Sequence, residues 1–369
     1  MNKVLITGAT GFVGSALAAS ILARSIPVVA VSRNDPDGER TESAIREAAE
    51  GFGLDISEAI NQHLDVIDVD FCDLENCISA NVLADIRFAW HCAAEMSYSP
   101  HKLASSFEVN VGNSTRLFKL LRAASPRLQR FYYMSTAFVA GMQGGTVTER
   151  LHAGTQLINP YQVTKWGAEH ALQLLHRETG TPLTIFRPSI VIGHRESGWS
   201  CRNGFGMYMF LDAFRAFGAA GHDHLTADFK AGVHPDLVSI DQLVQDALTL
   251  TLREPERNPF EVFHCSGGLG ITLQDLMLRF AAATGVRLSF GTPVTSVEQK
   301  FSRATGLNMP FANTEWQFAR QALDRALGQA APPEVLTQHD LSRMIAWYLG
   351  QDEQDADAEE SRTLSAFAN

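Results

Sequence analysis

Cysteine pairs, long apolar runs and an excess of basic charge are all missing from this sequence, and each absence narrows what the chain can be. Its five cysteines, Cys72, Cys77, Cys92, Cys201 and Cys265, are odd in number and never spaced C-x-x-C. That speaks against a disulfide framework or a zinc site and for a reducing compartment. No stretch reaches the roughly 18 consecutive apolar residues of a membrane span, and MNKVLITGATG enters a strand pattern at once, with no leader before it. A cytoplasmic chain without a membrane span is expected. With 30 Lys and Arg against 41 Asp and Glu, the net charge is −11, the wrong sign for a nucleic-acid-binding protein. Six of those acids fall in QDEQDADAEE, residues 351–360, a self-repelling run that predicts a disordered tail over 350–369.

What is present is an alternation of apolar strands and helices. KVLITGATGFVG (3–14) gives a strand, then Gly8, Gly11 and Gly14, then the helix-prone SALAASILAR. Glycines at this spacing allow a tight turn, close approach of backbone to a pyrophosphate and close packing of helix on strand, while the helix N-terminus favours negative charge. A dinucleotide site using Gly8, Thr10, Gly11, Phe12, Val13 and Gly14 is therefore expected. The next strand, PVVAVSRN (27–34), ends without an acid for a ribose hydroxyl and offers Arg33 instead. A guanidinium there suits a 2′-phosphate, so NADP(H) is expected over NAD(H). TESAIREAAEGF predicts an additional helix carrying Arg46 toward the same phosphate. The strand LDVIDVDF (64–71) sets Asp70 near an adenine or in a turn, and RFAWHCAA (87–94) ends in the small Ala93 and Ala94, leaving room for a cofactor. His91 and Cys92 fit the packed sheet, since neither has a partner at metal-ligand spacing, and no metal is expected.

The fifth strand, RFYYMSTAFVAG (130–141), leads to Ser135 and Thr136, one of which should supply an active-site hydroxyl. NPYQVTKWGAEHAL (159–172) predicts a helix with Tyr161 and Lys165 four residues apart and therefore on one face. An ammonium so placed is expected to lower the phenol's pKa and help it donate a proton. PLTIFRPSIVIG (182–193) is a further strand, broken by Pro188. The fold class expected is α/β, a doubly wound parallel Rossmann sheet with a smaller, mainly helical C-terminal substrate lobe. Residues 1–193 and 233–268 should form the cofactor domain, and 194–232 and 269–349 the lobe and lid. HRESGWSCRNGFG (194–206) reads as a lid, and the apolar FGMYMFLDAFRAFG (205–218) as core, dimer contact or pocket wall. TEWQFARQALDRALG (314–328) reads as a helix of the lobe, and AAPPEVL (330–336) as a short connection.

Taken together, Gly8, Gly11 and Gly14, Ser135 with Thr136, and Tyr161 with Lys165 resemble an extended short-chain dehydrogenase/reductase. HCAA, MSTAFVAG, PYQVTKWGAEHAL, FRPSIVIG and PDLVSIDQLVQDAL carry the likeness to thioester reductase domains and fatty acyl-CoA reductases. The resemblance implies Thr136 as the catalytic hydroxyl, Tyr161 as proton donor, Lys165 as the ribose-binding cation, and Pro188, Ser189 and Ile190 along the nicotinamide. It implies reduction of an acyl thioester carried by coenzyme A or a separate acyl carrier protein. A ketone or alcohol oxidoreductase, or a sugar-nucleotide-modifying enzyme, is the alternative. Asn113 stands where N-V-x-G has glycine, and Ala140 where many sugar-nucleotide relatives have tyrosine. Arg116, Lys119, Arg122, Arg127 and Arg130 form the densest basic stretch, either a solvated face or a dock for an acidic carrier.

Overall fold

The computed structural model describes residues 3–201, 205–253, 258–328 and 334–350. The acidic run at 351–360, residues 202–204 of the lid segment and 330–333 of the proline-containing connection lie outside them. Contacts divide the chain into two compact units, one from Met1–Ser189, Gln242–Gly268 and Trp316–Glu334, the other from Ile190–Asp241, Leu269–Glu315 and the chain from Val335 onward.

In the first unit, short runs of valine, isoleucine and aromatic residues form β1 (Lys3–Thr7), β2 (Val28–Ser32), β3 (Leu64–Asp68), β4 (Ile86–His91), β5 (Arg130–Met134), β6 (Leu183–Pro188) and β7 (Phe260–Cys265). They pair in the order β7-β6-β5-β4-β1-β2-β3, every pair parallel. Chain progression reverses between β1 and β4, the point at which a doubly wound sheet opens a crevice beyond its strand ends. Every residue of β2, β5 and β6 is buried, as in a sheet covered on both faces, whereas the edge strand β3 is half-exposed. The doubly wound fold read from the sequence is thus observed.

The Phe12–Leu22 helix is buried from Gly14 to Leu22 and packs against the sheet through small residues. Gly8 turns the chain after β1 with φ of 75°, and a Cβ on Gly14 would lie 2.2 Å from the Gly8 carbonyl oxygen. The Glu39–Gly51 helix, expected from TESAIREAAEGF, is present. Asp35 caps it by accepting from the Arg40 and Thr41 backbone N–H groups and the Thr41 hydroxyl. Burial pushes that carboxyl up, but the Thr41 and Arg40 hydrogen bonds outweigh it and hold Asp35 below its ordinary pKa.

Residues 314–328 differ from the expected helix. Only Gln321–Leu327 is helical, while Trp316–Phe318 pairs in parallel with Gly145–Val147. Trp316 and Phe318 are buried and Gln317 exposed, an alternation of period two, and the Trp316 indole donates to the Gly141 carbonyl at 3.1 Å. Burying two aromatic rings against Phe138 draws this segment into the first unit. Arg320 then binds Asp246 and Asp324.

The second unit also starts elsewhere than expected. The chain leaves the large sheet after Pro188, and Ile190–Ile192 pairs with Leu237–Ser239, so residues 190–193 and 233–241 group with the second unit. His224–Ala227 pairs with Arg287–Phe290. Helices Tyr208–Ala219, Leu273–Ala283 and Ser296–Thr305 and the helix over 338–350 share an aromatic core. From the apolar 205–218 segment Phe210, Phe214 and Phe217 are buried in that core, Phe214 meeting Phe301 at 5.1 Å, while Phe205 is exposed. Among the described residues no helix is long and apolar enough to cross a membrane.

The glycine spacing yields a direct test. Gly14→Ala should lower stability by about 1–3 kcal/mol or more, because the new Cβ meets rigid backbone. Gly11→Ala, whose Cβ would lie an ordinary 3.4 Å from its nearest neighbour, should stay within about 0.5 kcal/mol. Urea unfolding midpoints of the two variants check the contrast.

Candidate active site

Beyond the end of β1, Gly11 forms the N-cap of the Phe12–Leu22 helix and contributes no side chain. The turn is fitted against the end of β4, where the Ala93 N–H donates to Thr7 Oγ1 at 3.2 Å and a Cβ on Gly8 would meet Ala93 N at 2.7 Å. His91 Nδ1 shares a 2.7 Å hydrogen bond with the same threonine hydroxyl. Burial, aided by the Lys165 charge, drives His91 down to about 3, and burial lifts Cys92 up to about 12. Both are neutral at pH 7, with His91 held in the sheet and Cys92 next to it in the chain. This glycine-lined turn, at a helix N-terminus and the strand-order reversal, fits a dinucleotide's pyrophosphate.

At the end of β2, Arg33 is exposed. Arg40, which the sequence reading passed over, lies beside it and donates to the Arg33 carbonyl and to Ser32 Oγ. Arg46 instead turns to Glu42 on its own helix at 2.7 Å. Asp70 lies past the end of β3, where its carboxylate accepts the Cys72 N–H at 2.8 Å in a tight turn.

The helix expected from NPYQVTK spans Pro160–Thr179. Asn159 caps it through the Gln162 N–H, Pro160 occupies its first turn, and Gly180 ends it at φ of 72°. Buried Gln162 ties the start to the turn after β5 by donating to the Phe138 carbonyl at 2.8 Å. From this helix Tyr161, Lys165 and Glu169 project at i, i+4 and i+8. Thr136, whose Oγ1 accepts the Phe138 N–H at 3.3 Å, lies close enough to the Tyr161 phenol to lower its pKa. Lys165 Nζ donates to the Met134 carbonyl at 2.6 Å and lies 4.7 Å over the Tyr133 ring. Ser135, the other candidate hydroxyl, donates to Glu169 at 2.5 Å.

The electrostatics correct one expectation. Burial, then the neighbouring Tyr98 ring 6.3 Å away, raises the Tyr161 pKa, and the Thr136 hydroxyl offsets only part of the rise. The Lys165 ammonium is turned to the Met134 carbonyl. Lys165 is itself pushed down to about 8 by burial, against the opposing influence of Cys92 and Glu169.

Glu169 and Arg187 were missed by the sequence reading. They form a fully buried ion pair at 2.6 Å, with a second contact at 2.8 Å. A signal existed: an arginine within the apolar strand LTIFRP demands a buried acceptor, and Glu169 lies one helical turn beyond Lys165. Pro188 and Ser189 end β6, with the Ser189 N–H bonded to Cys265 O, while Ile190 belongs to the second unit. Among the described residues, no group of three or more His, Cys, Asp or Glu could hold a metal ion.

With this geometry in view, the family described as male sterility protein, an NAD-binding family, matches residues 6–245, more than half of the chain. The chain belongs to that family. Isonitrile lipopeptide synthase of Streptomyces coeruleorubidus is 24% identical to this family member over 264 residues, covering 68% of this chain and 17% of that protein. Carboxylic acid reductase of Segniliparus rugosus is 25% identical over 291 residues, covering 72% and 24%. The chain thus spans less than a quarter of the length of either relative. Among solved structures, the terminal R domain from the myxalamid PKS-NRPS biosynthetic pathway superposes with a TM-score of 0.74 at 19% identity, covering 95% of this chain and 91% of that one. A thiolation-reductase di-domain from an archaeal non-ribosomal peptide synthetase gives 0.72 at 20%, covering 96% and 76%. UDP-glucuronic acid 4-epimerase from Bacillus cereus gives 0.67 at 18%, covering 95% and 99%. The fold is common to all three, and the extended short-chain dehydrogenase/reductase likeness read from the sequence is borne out.

Lys165 supplies a pH test in this male sterility family member. Below pH 8 folded and unfolded chains both hold its proton, and the desolvation penalty acts in full. Between about 8 and the ordinary 10.5 only the unfolded chain keeps it, so stability rises with pH. Relative to Lys165→Met, the wild type should gain about 3 kcal/mol across that window. Urea unfolding of both proteins at pH 7.5 and 10.5 measures the gain.

Proposed function

We propose that this male sterility family member is an NADPH-dependent reductase whose substrate is an acyl thioester. The observation that carries the reading is the Thr136 hydroxyl beside the Tyr161 phenol, with Lys165 buried one helical turn further on and turned to the Met134 carbonyl. Two hydroxyl donors so paired can hold one carbonyl oxygen and stabilise the negative charge that develops on it. Tyr161 is the proton donor; its raised pKa keeps the phenol protonated at neutral pH, so that it can give a proton up to an alkoxide.

Bound NADPH supplies the hydride. Gly8, Thr10, Gly11, Phe12, Val13 and Gly14 would hold the pyrophosphate, and Arg33, with Arg40 beside it, the 2′-phosphate. Ala93, Ala94, Lys165, Pro188 and Ser189 would line the remainder, with Asp70 toward the adenine. Asp35, the first acid after β2 in the chain, spends its carboxylate on Thr41 and Arg40 N–H groups, and Asp68, paired with Ser32, accepts the Asp35 N–H, which favours a phosphate over a free ribose hydroxyl at this position. With a thioester, Thr136 and Tyr161 hold the oxygen while the tetrahedral adduct expels thiolate and leaves an aldehyde. A second reduction, ending in protonation by Tyr161, would give the alcohol.

Thioester chemistry is supported by the carboxylic acid reductase and by the reductase domains beside thiolation domains among the relatives. The epimerase likeness shares only the fold, and Ala140 stands where many sugar-nucleotide enzymes have tyrosine, so the sugar-nucleotide reading is second. The thioester would arrive on coenzyme A or an acyl carrier protein. The basic stretch offered as its dock is mostly occupied: Arg116 pairs with Glu108, Arg127 with Asp85, and Arg130 is buried against Glu261. Lys119 and Arg122 are exposed, as is the paired Arg127.

Tyr161→Phe should fold and bind NADPH normally yet lose about 10²–10⁴ in turnover. Assays in parallel with acyl thioesters, aldehydes and ketones, with free thiol measured, separate the readings; NADPH oxidation with no thiol released from any thioester would sink the thioester assignment. Arg33→Ala should weaken NADPH about 10–100-fold, as loss of a charge-assisted contact does, and leave NADH nearly unchanged. Fluorescence titration of both cofactors decides; equal losses would remove Arg33 from the phosphate site.

A further inference from the structure

Three consecutive residues at the end of β5 each face a different residue of one helix stripe. Lys165 Nζ meets the Met134 carbonyl, Glu169 receives the Ser135 hydroxyl, and Thr136 lies beside Tyr161. The Ser135 N–H is fixed as well, donating to the Phe186 carbonyl at 2.7 Å on β6. Glu169 in turn has no freedom. Its side chain is fully buried, and Arg187 grips both carboxylate oxygens, Nε to Oε1 at 2.8 Å and Nη2 to Oε2 at 2.6 Å. Arg187 is anchored by β6 and by the Arg150 carbonyl, to which Nη1 donates at 2.9 Å. Thr136 follows directly in extended backbone, with φ of −149° and ψ of 145°. Fixing the Ser135 side chain on Glu169 and its N–H on Phe186 therefore leaves the adjoining Thr136 backbone little freedom to turn.

We propose that Glu169, locked by Arg187, is a positioning residue that aims the Thr136 hydroxyl at Tyr161 through Ser135. The proposal rests on the reading of Thr136 and Tyr161 as the two hydroxyls of the reaction. Glu169 touches neither hydroxyl and takes no proton in the chemistry. Its effect is geometric: a donor displaced by even a fraction of an ångström from its bond to the reacting oxygen loses much of its value in a preorganised site.

The test uses the full chain with tyrosine labelled at the ring carbon bearing oxygen, whose NMR signal reports the hydrogen bond at each phenol. The Tyr161 signal is identified by its loss in Tyr161→Phe, and Thr136→Ala marks where it moves when the Thr136 bond is gone. Ser135→Ala removes one hydroxyl and leaves the Glu169–Arg187 pair in place. It should move the Tyr161 signal toward the Thr136→Ala position and lower kcat about tenfold with KM unchanged. Glu169→Gln should do the same; should it fail to fold, Glu169→Leu with Arg187→Met removes both charges together and avoids an unpaired buried ion. A Tyr161 signal that stays in place in these variants, with only the unfolding midpoint altered, overturns the proposal and reduces the pair to a structural one. A signal that moves in a protein that reduces no carbonyl offered to it upholds the positioning and overturns the functional reading instead.

Discussion

The chemistry proposed for this protein depends on registration between the Pro160–Thr179 helix and the last residues of β5. A helix laid across a strand end by hydrophobic contact alone could slide or rotate with little penalty, because apolar burial is non-directional. Here the contact is made by polar groups with defined partners. The Asn159 cap and Gln162 bond set where the helix begins, and Lys165 and Glu169 set its rotation. Displacement along or about the axis would leave a buried ammonium or carboxylate without its partner, which costs far more than a shifted methyl group.

That logic recurs through the first unit. Arg130 on β5 reaches across Thr184 of β6 to Glu261 on β7, and Arg253 closes on the same carboxylate at 2.6 Å. Arg320 brings the chain after Trp316–Phe318 to Asp246. Burial raises the Asp246 pKa in spite of the arginine, so desolvation outweighs the pairing at this carboxylate. Buried pairs of this kind are weak evidence for net stability, since desolvation of several kcal/mol per ion opposes the attraction. Their contribution is a heavy penalty on alternative arrangements.

At the end of β2 the governing influence is competition for one carboxylate. Asp35 lies three residues beyond the end of β2, close enough in sequence to suggest a ribose ligand. The first turn of the next helix has orphan N–H groups to satisfy, and Asp35 satisfies two of them along with the Thr41 hydroxyl. Two guanidinium groups, Arg33 and Arg40, lie at this strand end, and Asp68, paired with Ser32, accepts the Asp35 N–H at 3.0 Å.

Much of this was legible along the chain. Apolar strand runs separated by helices determined the doubly wound sheet, because each pattern is local and its burial is symmetric about the strand. The glycine spacing determined a turn, because only a residue without a Cβ fits 2.2 Å from a carbonyl oxygen. Spacing of four determined that Tyr161 and Lys165 share a face. The identity of the hydroxyl beside Tyr161 could not be read in this way: Ser135 and Thr136 are adjacent and chemically alike, and a partner on another element, Glu169, sends one aside. Nor could the direction of the Tyr161 pKa shift, since it arises from burial and from Tyr98, a residue 63 positions earlier. The WQF segment was mistaken for helix because its neighbours are helical by composition, and only pairing with Gly145–Val147, far off in sequence, makes it a strand. Periodicity and spacing are properties of the chain itself, so strands, helices, turns and shared faces were determined by the sequence alone. Which buried group meets which depends on long-range contacts that no local pattern encodes, and that choice was left to the tertiary structure.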